Sequence, residues 1–251
     1  MKRVLILAYG VGCYAIGLGS LVYMMGWLGN LVVPNSIDAP RNVPILLAAT
    51  VNAALFVLFA VQHSVMARPF FKQWLARFLP ESVERSTFIL CSGVALSLLM
   101  WLWQPLGITI WEFTHPAAIR TAWVLYGLGW AVLVGSTFAL NHYDLFGLRQ
   151  VWLQFRQRPY THLPFATPGP YRLVRHPIYV GWIVLAWATP TMSLTHFAFA
   201  ACTTWYILMA IPLEERDLRT FHPRDYPEYQ RSTPMLIPRL SGDRSQSAAG
   251  A

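Results

Sequence analysis

Residues 169–181 read Gly-Pro-Tyr-Arg-Leu-Val-Arg-His-Pro-Ile-Tyr-Val-Gly, so Tyr171, Arg172, Arg175, His176 and Tyr179 crowd the start of an apolar run, 178–189. A second run, 194–213, ends in Glu214, Glu215 and Arg216, with Tyr226 and Tyr229 beyond it. A helical hairpin through 190–194 returns the chain to its starting side and brings Arg175 and His176 towards the two carboxylates. Ionisable groups gathered where apolar helices end are costly to keep dry and mark function by default. A lipid-headgroup anchor explains Arg and Tyr, but not the His-Pro pair or the Glu pair. Pro177 suits the first turn of a helix. The outward N–H groups there, with Arg175 and His176, suit an anion such as a carboxylate. Tyr179 can stack on a ring or donate, and Glu214 and Glu215 can accept from ribose hydroxyls or an amino group. These are parts for holding a zwitterionic nucleoside cofactor. A purely structural ion-pair corner uses the same residues equally well.

The rest of the chain must carry this cluster. Of its 251 residues, 55% are hydrophobic and 12% charged, about half the charged fraction of a soluble domain. Eleven Trp and eleven Tyr fit interfacial aromatic belts. The expected class is all-α: a polytopic integral membrane protein with four spanning helices plus a C-terminal helical hairpin, five to six transmembrane segments in all. The four runs are 4–33, 45–66, 87–103 and 121–140. Residues 68–85 carry Phe70, Phe71, Trp74 and Phe78 at near-helical spacing, which predicts an amphipathic interfacial helix. Arg68, Lys72, Arg77 and Arg85 read as a solvated, lipid-facing charge set. The segment 178–190 is short for a span of about 20 residues. It starts earlier, near Leu173, or the hairpin crosses incompletely.

All Lys and Arg except Arg41 and Arg120 fall in the N-terminus, in 67–86, in 142–177 and from 214 onward. The positive-inside rule then places both termini and the cluster on the cytoplasmic side of the membrane. The net charge of +8 is thus a topology signal and not a sign of nucleic acid. Cys13, Cys91 and Cys202 lie inside apolar runs and read as inert buried thiols. No spacing suggests a disulfide framework or a metal. No cleavable signal is evident. The organisation read from the chain is an N-terminal helical part, 1–141, a cytosolic connection plus hairpin core, 142–238, and a disordered tail, 239–251.

Gly169-Pro-Tyr-Arg-x-Val-Arg-His-Pro-x-Tyr-x-Gly181, then Glu214-Glu215-x-x-Leu218, then Tyr226-x-x-Tyr229, resembles the C-terminal core of the isoprenylcysteine carboxyl methyltransferase and phospholipid methyltransferase superfamily. The resemblance implies an S-adenosylmethionine site at the cytosolic face. Its contacts would be Tyr171, Arg175, His176, Tyr179, Glu214, Glu215, Tyr226 and Tyr229, with Arg231 near them. Gln62-His63-Ser64-x-Met66-Ala67-Arg68, the Glu84-Arg85 pair, and Asn141-His142-Tyr143-Asp144-Leu-Phe-Gly-Leu-Arg149-Gln150 resemble the bacterial methanethiol S-methyltransferases. That resemblance implies methylation of a small thiol to dimethyl sulfide.

Methyl transfer from a sulfonium is an in-line displacement at carbon. Alignment and exclusion of water can account for ~7–11 kcal/mol of the barrier. The nucleophile is a thiolate, so a base or an electropositive setting is needed. His142 is the expected base, oriented by Asp144, with Tyr143 as a relay and Arg149 a possible partner of Asp144. Asn141, Arg149 and His63 are expected near the substrate. The plain alternative is that Asn141 caps a span, that His142 and Asp144 are ordinary span-end polar residues, and that His63 is a hydrogen-bonded packing residue. His115, His162, His196 and His222 show no partner pattern. Two other functions fit the chain less closely: methylation of a lipid or prenylcysteine acceptor, and a non-enzymatic membrane role in nitrogen or sulfur metabolism.

Overall fold

The computed structural model describes residues 1–40 and 42–239. The expected disordered tail falls, from 240 onward, outside the described residues. The chain is helical almost throughout, and five helices are long and apolar enough to cross a membrane. They are α1 (Lys2–Gly29), α2 (Ile45–Ala67), α4 (Glu81–Leu102), α5 (Pro116–Leu140) and α9 (Leu194–Phe221). Between them lie α3 (Pro69–Leu75), α6 (His142–Leu145), α7 (Leu148–Phe155) and α8 (Pro177–Trp187), and α10 (Asp225–Ser232) closes the fold. A short 3-10 turn, Gly169–Arg172, precedes α8.

Small residues set the packing. Gly17 of α1 and Gly93 of α4 touch so closely that a methyl on Gly93 would lie 3.1 Å from the Gly17 Cα. Close backbone approach of this kind is how membrane helices gain contact where water cannot drive them together. α8 lies antiparallel on α5 through a second glycine pair. The shared core is aromatic: Trp27, Trp103 and Phe199 meet edge to face with centroids 5.3–5.7 Å apart, the arrangement ring quadrupoles favour.

The hairpin differs from the expectation. α8 starts at Pro177, not near Leu173, and holds 11 residues, roughly 16 Å of helix against a hydrocarbon layer of about 30 Å. The remaining distance is covered by extended chain, residues 188–193. Backbone at membrane depth must have its polar groups satisfied inside the protein. A two-stranded antiparallel ladder, unexpected from the sequence, supplies part of this. β1 (Thr109–Glu112), from the connection between α4 and α5, pairs with β2 (Thr191–Ser193), and Phe113 N–H donates to Pro190 O at 2.9 Å. None of residues 188–196 is exposed. The hairpin is therefore buried at its turn and only partly helical.

A polar knot locks the same end. Ser193 Oγ caps α9 by accepting from His196 N–H at 3.0 Å and donates to Asp38, which Asn30 also reaches at 2.8 Å. His196, read from sequence as incidental, lies with Nδ1 3.7 Å from Asp38 and Nε2 3.0 Å from Ala186 O.

The expected helix over 68–85 is also revised. Only α3 is helical there, and after the break at Pro80 the spanning helix α4 begins at Glu81. Glu84 and Arg85 thus belong to the first turns of a membrane helix. Phe70, Trp74 and Phe78 are exposed, as an interfacial anchor requires.

Candidate active site

α8 and α9 meet in the expected cluster, which has two unequal parts. The inner part is a closed brace. Arg175 Nε donates to Glu215 Oε1 at 2.7 Å, and His176 Nε2 lies 2.9 Å from the same oxygen. Gln230 of α10 donates to Oε2, and Arg175 also donates to the carbonyls of Gln230 and Thr233. His176 and Glu215 are buried, at 5% and 6% exposure. The backbone N–H groups of Arg175 and His176 donate to Pro234 O and Met235 O. Both carboxylate oxygens of Glu215 are therefore committed, and the brace ties the start of α8 to the end of α9 and to the C-terminal segment.

The outer part is open. The Glu214 side chain is 41% exposed. Tyr179 O–H donates to its Oε2 at 2.7 Å and stacks on His176 with centroids 5.5 Å apart. Among the described residues, Glu214 Oε1 has no hydrogen-bond partner. Beside this edge Phe165 meets His222, Tyr226 and Tyr229 at 5.3–6.1 Å. Tyr229 O–H donates to Tyr171 O at 2.5 Å, while the buried Tyr226 hydroxyl lacks a hydrogen-bond partner among the described residues. Burial pushes the Tyr229 phenol up to about 12 and raises Tyr171 and Tyr226 as well. All three stay neutral at physiological pH and act as rings and hydrogen-bonding groups, not as phenolates.

The segment 141–150 forms a separate unit. Asn141 Oδ1 accepts from Asp144 N–H at 3.0 Å and so caps α6. Asp144 is bound by Arg149 at 2.9 Å, and Tyr160 O–H approaches it at 3.4 Å. Arg149 also donates to Thr161. His142 does not meet Asp144. Its Nε2 lies 3.0 Å from Tyr14 O–H and its Nδ1 2.9 Å from Thr137 Oγ1, while Phe138 and Phe146 sandwich the ring at 4.2 and 4.5 Å. Burial lowers its pKa and keeps the imidazole neutral. Tyr143 is exposed.

This unit docks on the start of α4. Gly147 has φ +83°, and a Cβ there would fall 2.7 Å from Ser86 N. Only glycine permits both that backbone and that approach. Ser86 Oγ donates to Gly147 O at 3.3 Å, and Arg85 Nε donates to Leu145 O at 2.6 Å. Arg85 is thus turned inward under α6. This corrects the lipid-facing reading: the helix starts six residues earlier than the apolar run, so Arg85 sits on its inner face. Arg68 likewise pairs with Asp217 of α9 at 2.8 Å. His63 packs between Phe59 and Phe88, with Nδ1 3.1 Å from Ser92 Oγ.

The comparisons with known proteins fall on these same segments. The family model for the isoprenylcysteine carboxyl methyltransferase (ICMT) family matches residues 133–220. The span covers the end of α5, all of α8 and the Glu214–Glu215 end of α9. With five helices of spanning length, this match defines a polytopic membrane methyltransferase. The chain is 47% identical over 238 residues to methanethiol S-methyltransferases of Crocosphaera subtropica, covering 95% of this chain and 93% of the relative, and of Mycobacterium tuberculosis, covering 95% and 98%. The chain belongs to the methanethiol S-methyltransferase family. It is also 29% identical over 234 residues to Nurim of Bos taurus, covering 85% and 86%. No solved structure matches.

Proposed function

We propose that this enzyme transfers the methyl group of S-adenosylmethionine to methanethiol, releasing dimethyl sulfide, at the cytoplasmic face of a bacterial inner membrane. The observation that carries the reading is the division of the C-terminal cluster. Arg175, His176 and Glu215 satisfy one another, while Glu214 and the aromatic edge remain uncommitted. The donor set suits the proposed molecule. Glu214 offers a carboxylate to an amino group or ribose hydroxyl, Phe165 and Tyr229 offer faces for a purine, and the orphaned Tyr226 hydroxyl requires a partner. When bound, S-adenosylmethionine supplies an electrophilic methyl on a sulfonium.

In this reading Arg175, His176 and Glu215 are positioning residues that fix where Glu214 and Tyr179 stand, and Tyr171 fastens Tyr229. Proton removal is not assigned to His142, because both its ring nitrogens are already hydrogen-bonded and Asp144 is held by Arg149. Asn141 and Arg149 shape the α6–α7 turn. His63 keeps Nε2 uncommitted among the described residues and can face the thiol. The distribution of Lys and Arg supports the cytoplasmic placement.

Headspace gas chromatography over purified, detergent-solubilised protein tests the proposal. Dimethyl sulfide should form only with both reactants and fall sharply in Glu214→Gln, whose melting temperature stays unchanged. Donor binding by calorimetry without product would move the acceptor to a lipid or prenylcysteine. Absence of both from folded protein would refute the enzyme reading.

A further inference from the structure

A cavity of about 380 Å³ opens beneath α6, walled by Glu84, Arg85, Asp144, Gln150, Arg158 and Tyr160 among others. We propose that this cavity receives the acceptor thiol and that Arg85 is the catalytic cation that holds it as thiolate. The proposal rests on the methyl-transfer function above and names the group that makes the nucleophile.

Charge balance singles out Arg85. A guanidinium has five N–H donors and no accessible neutral form. Nε of Arg85 is committed to Leu145 O, which fixes the plane of the group. Among the described residues, no acceptor lies within hydrogen-bond distance of its terminal nitrogens. Two other cations line the cavity: Arg158 is exposed at its rim, and Lys72 lies 3.8 Å from Glu84; the nearby Arg149, Arg175 and Arg68 are taken by Asp144, Glu215 and Asp217. The carboxylates that share the cavity wall are offset in turn. Asp144 is held by Arg149 at 2.9 Å, and Glu84 lies 3.8 Å from Lys72. The titratable groups that act on Arg85 are Glu84 on its own helix, Asp144 on α6, Tyr160 in the following connection, Glu214 on α9 and His63 on α2. With Asp144 held by Arg149 and Glu84 beside Lys72, Arg85 and Arg158 outnumber the remaining Glu81 and leave this wall net positive.

Two further features suit a small thiol. Arg85 lies over the buried Phe88 ring at 5.0 Å, and Phe88 packs on His63 at 4.9 Å, so one face of the cation is covered by apolar side chain and shielded from water. Gln150 is 8% exposed and lines the cavity with a buried Oε1 that has no hydrogen-bond partner among the described residues. An orphaned buried carbonyl calls for a donor, which the S–H of an arriving thiol provides before it ionises. Glu214 is near enough for its charge to act on Arg85, and that charge also attracts the cationic end of the methyl donor.

The step balances as follows. The thiol loses its proton to water through the cavity mouth. The thiolate sulfur forms a bond to the methyl carbon as the carbon–sulfonium bond breaks, and the electron pair of that bond stays on the donor sulfur. Anion and cation give two neutral thioethers. A thiol beside Lys or Arg loses its proton far more readily than in water, and no side-chain base is required.

The test compares wild type, Arg85→Gln and Arg85→Lys. Calorimetry with methanethiol in two buffers of different ionisation enthalpy, donor omitted, should show a proton released on binding to wild type and none with Arg85→Gln. Turnover of methanethiol near neutral pH should fall about a hundredfold in Arg85→Gln, as when an oriented charge stabiliser is removed, and its acid limb should move to higher pH. Arg85→Lys should recover most of this. Methaneselenol, already ionised at that pH, should lose less than about tenfold, because thiolate formation is no longer the limiting requirement. Equal losses with both acceptors and an unmoved pH profile would overturn the proposal, as would binding to wild type without proton release. Should Arg85→Gln fail to fold, thiocyanate decides in wild type: it must compete with methanethiol and not with the donor, and no competition refutes the site. Proton release without any dimethyl sulfide would refute the proposed reaction and leave the anion site standing.

Discussion

Gly129 of α5 and Gly181 of α8 lie backbone against backbone. A Cβ on Gly181 would stand 2.7 Å from Gly129 O, and a Cβ on Gly129 would stand 3.0 Å from Gly181 O. The contact sits about half a helical turn from Tyr179 and so sets the distance between the candidate site and the rest of the bundle. Gly181→Ala should cost about 1–3 kcal/mol, the usual penalty for overpacking, and should weaken donor binding by displacing α8. A thermal melt in detergent with parallel donor calorimetry checks it. An unchanged melt would show that the helices part without cost.

The two glutamates should fail differently. Glu215→Gln leaves Arg175 as a buried, unpaired cation, a loss of about 3–5 kcal/mol when one partner of such a pair is removed. Glu214→Gln touches no buried charge and should leave the melt within about 0.5 kcal/mol of wild type while weakening donor binding. The pair of melts and the pair of affinities separate brace from contact. Equal destabilisation by both would contradict the division.

His142→Ala should lower stability by about 2–3 kcal/mol through lost packing and two lost hydrogen bonds. Turnover per folded molecule should change less than about tenfold, since its nitrogens are spent on Tyr14 and Thr137. Burial lowers the pKa of His142, so between that folded value and about 6.5 the unfolded chain binds the extra proton. The stability this group contributes is full above about 6.5 and is lost as pH falls. His142→Ala should remove that part of the acid sensitivity. A loss of several orders in turnover with the melt intact would restore His142 as the base.

At the far end, Asp38 should matter for stability alone. Burial on its own would raise its carboxyl, but His196 at 3.7 Å and hydrogen bonds from Ser193 and Asn30 outweigh burial and hold it below the usual carboxylate range. Its contribution is present above about pH 4 and is lost as pH falls below. Asp38→Ala should cost about 2 kcal/mol, the scale of a hydrogen-bonded charge, with donor affinity unchanged. A changed affinity would mean that the far end communicates with the cluster.

The polar cluster was legible because its residues sit at the two ends of one hairpin: Arg175, His176, Glu214 and Glu215 had only to meet, and they do. The all-α membrane class followed from the apolar runs, and five helices of spanning length realise it. What stayed hidden depended on partners remote in sequence. The pairing of Arg149 with Asp144 was anticipated, but His142, expected on Asp144, instead takes Tyr14, 128 residues away. Arg85 read as a surface charge because the apolar run begins at Thr87, whereas Pro80 starts the helix earlier and turns the side chain inward. The ladder of β1 and β2 leaves no periodic trace in strands of four and three residues. Its signal, in hindsight, was the shortness of the run after Pro177.

That shortness bears on how the protein is made. Eleven apolar helical residues fall well below the length at which a segment partitions into the bilayer by itself. Emerging from the ribosome, α8 has no independent claim on the membrane. It must wait for the 28-residue α9 and enter with it as a unit, docking on the already inserted α5 and drawing the extended segment behind it. A nascent chain arrested before α9 should therefore leave α8 outside the bilayer, and assembly of the catalytic half is committed only once nearly the whole polypeptide has been synthesised.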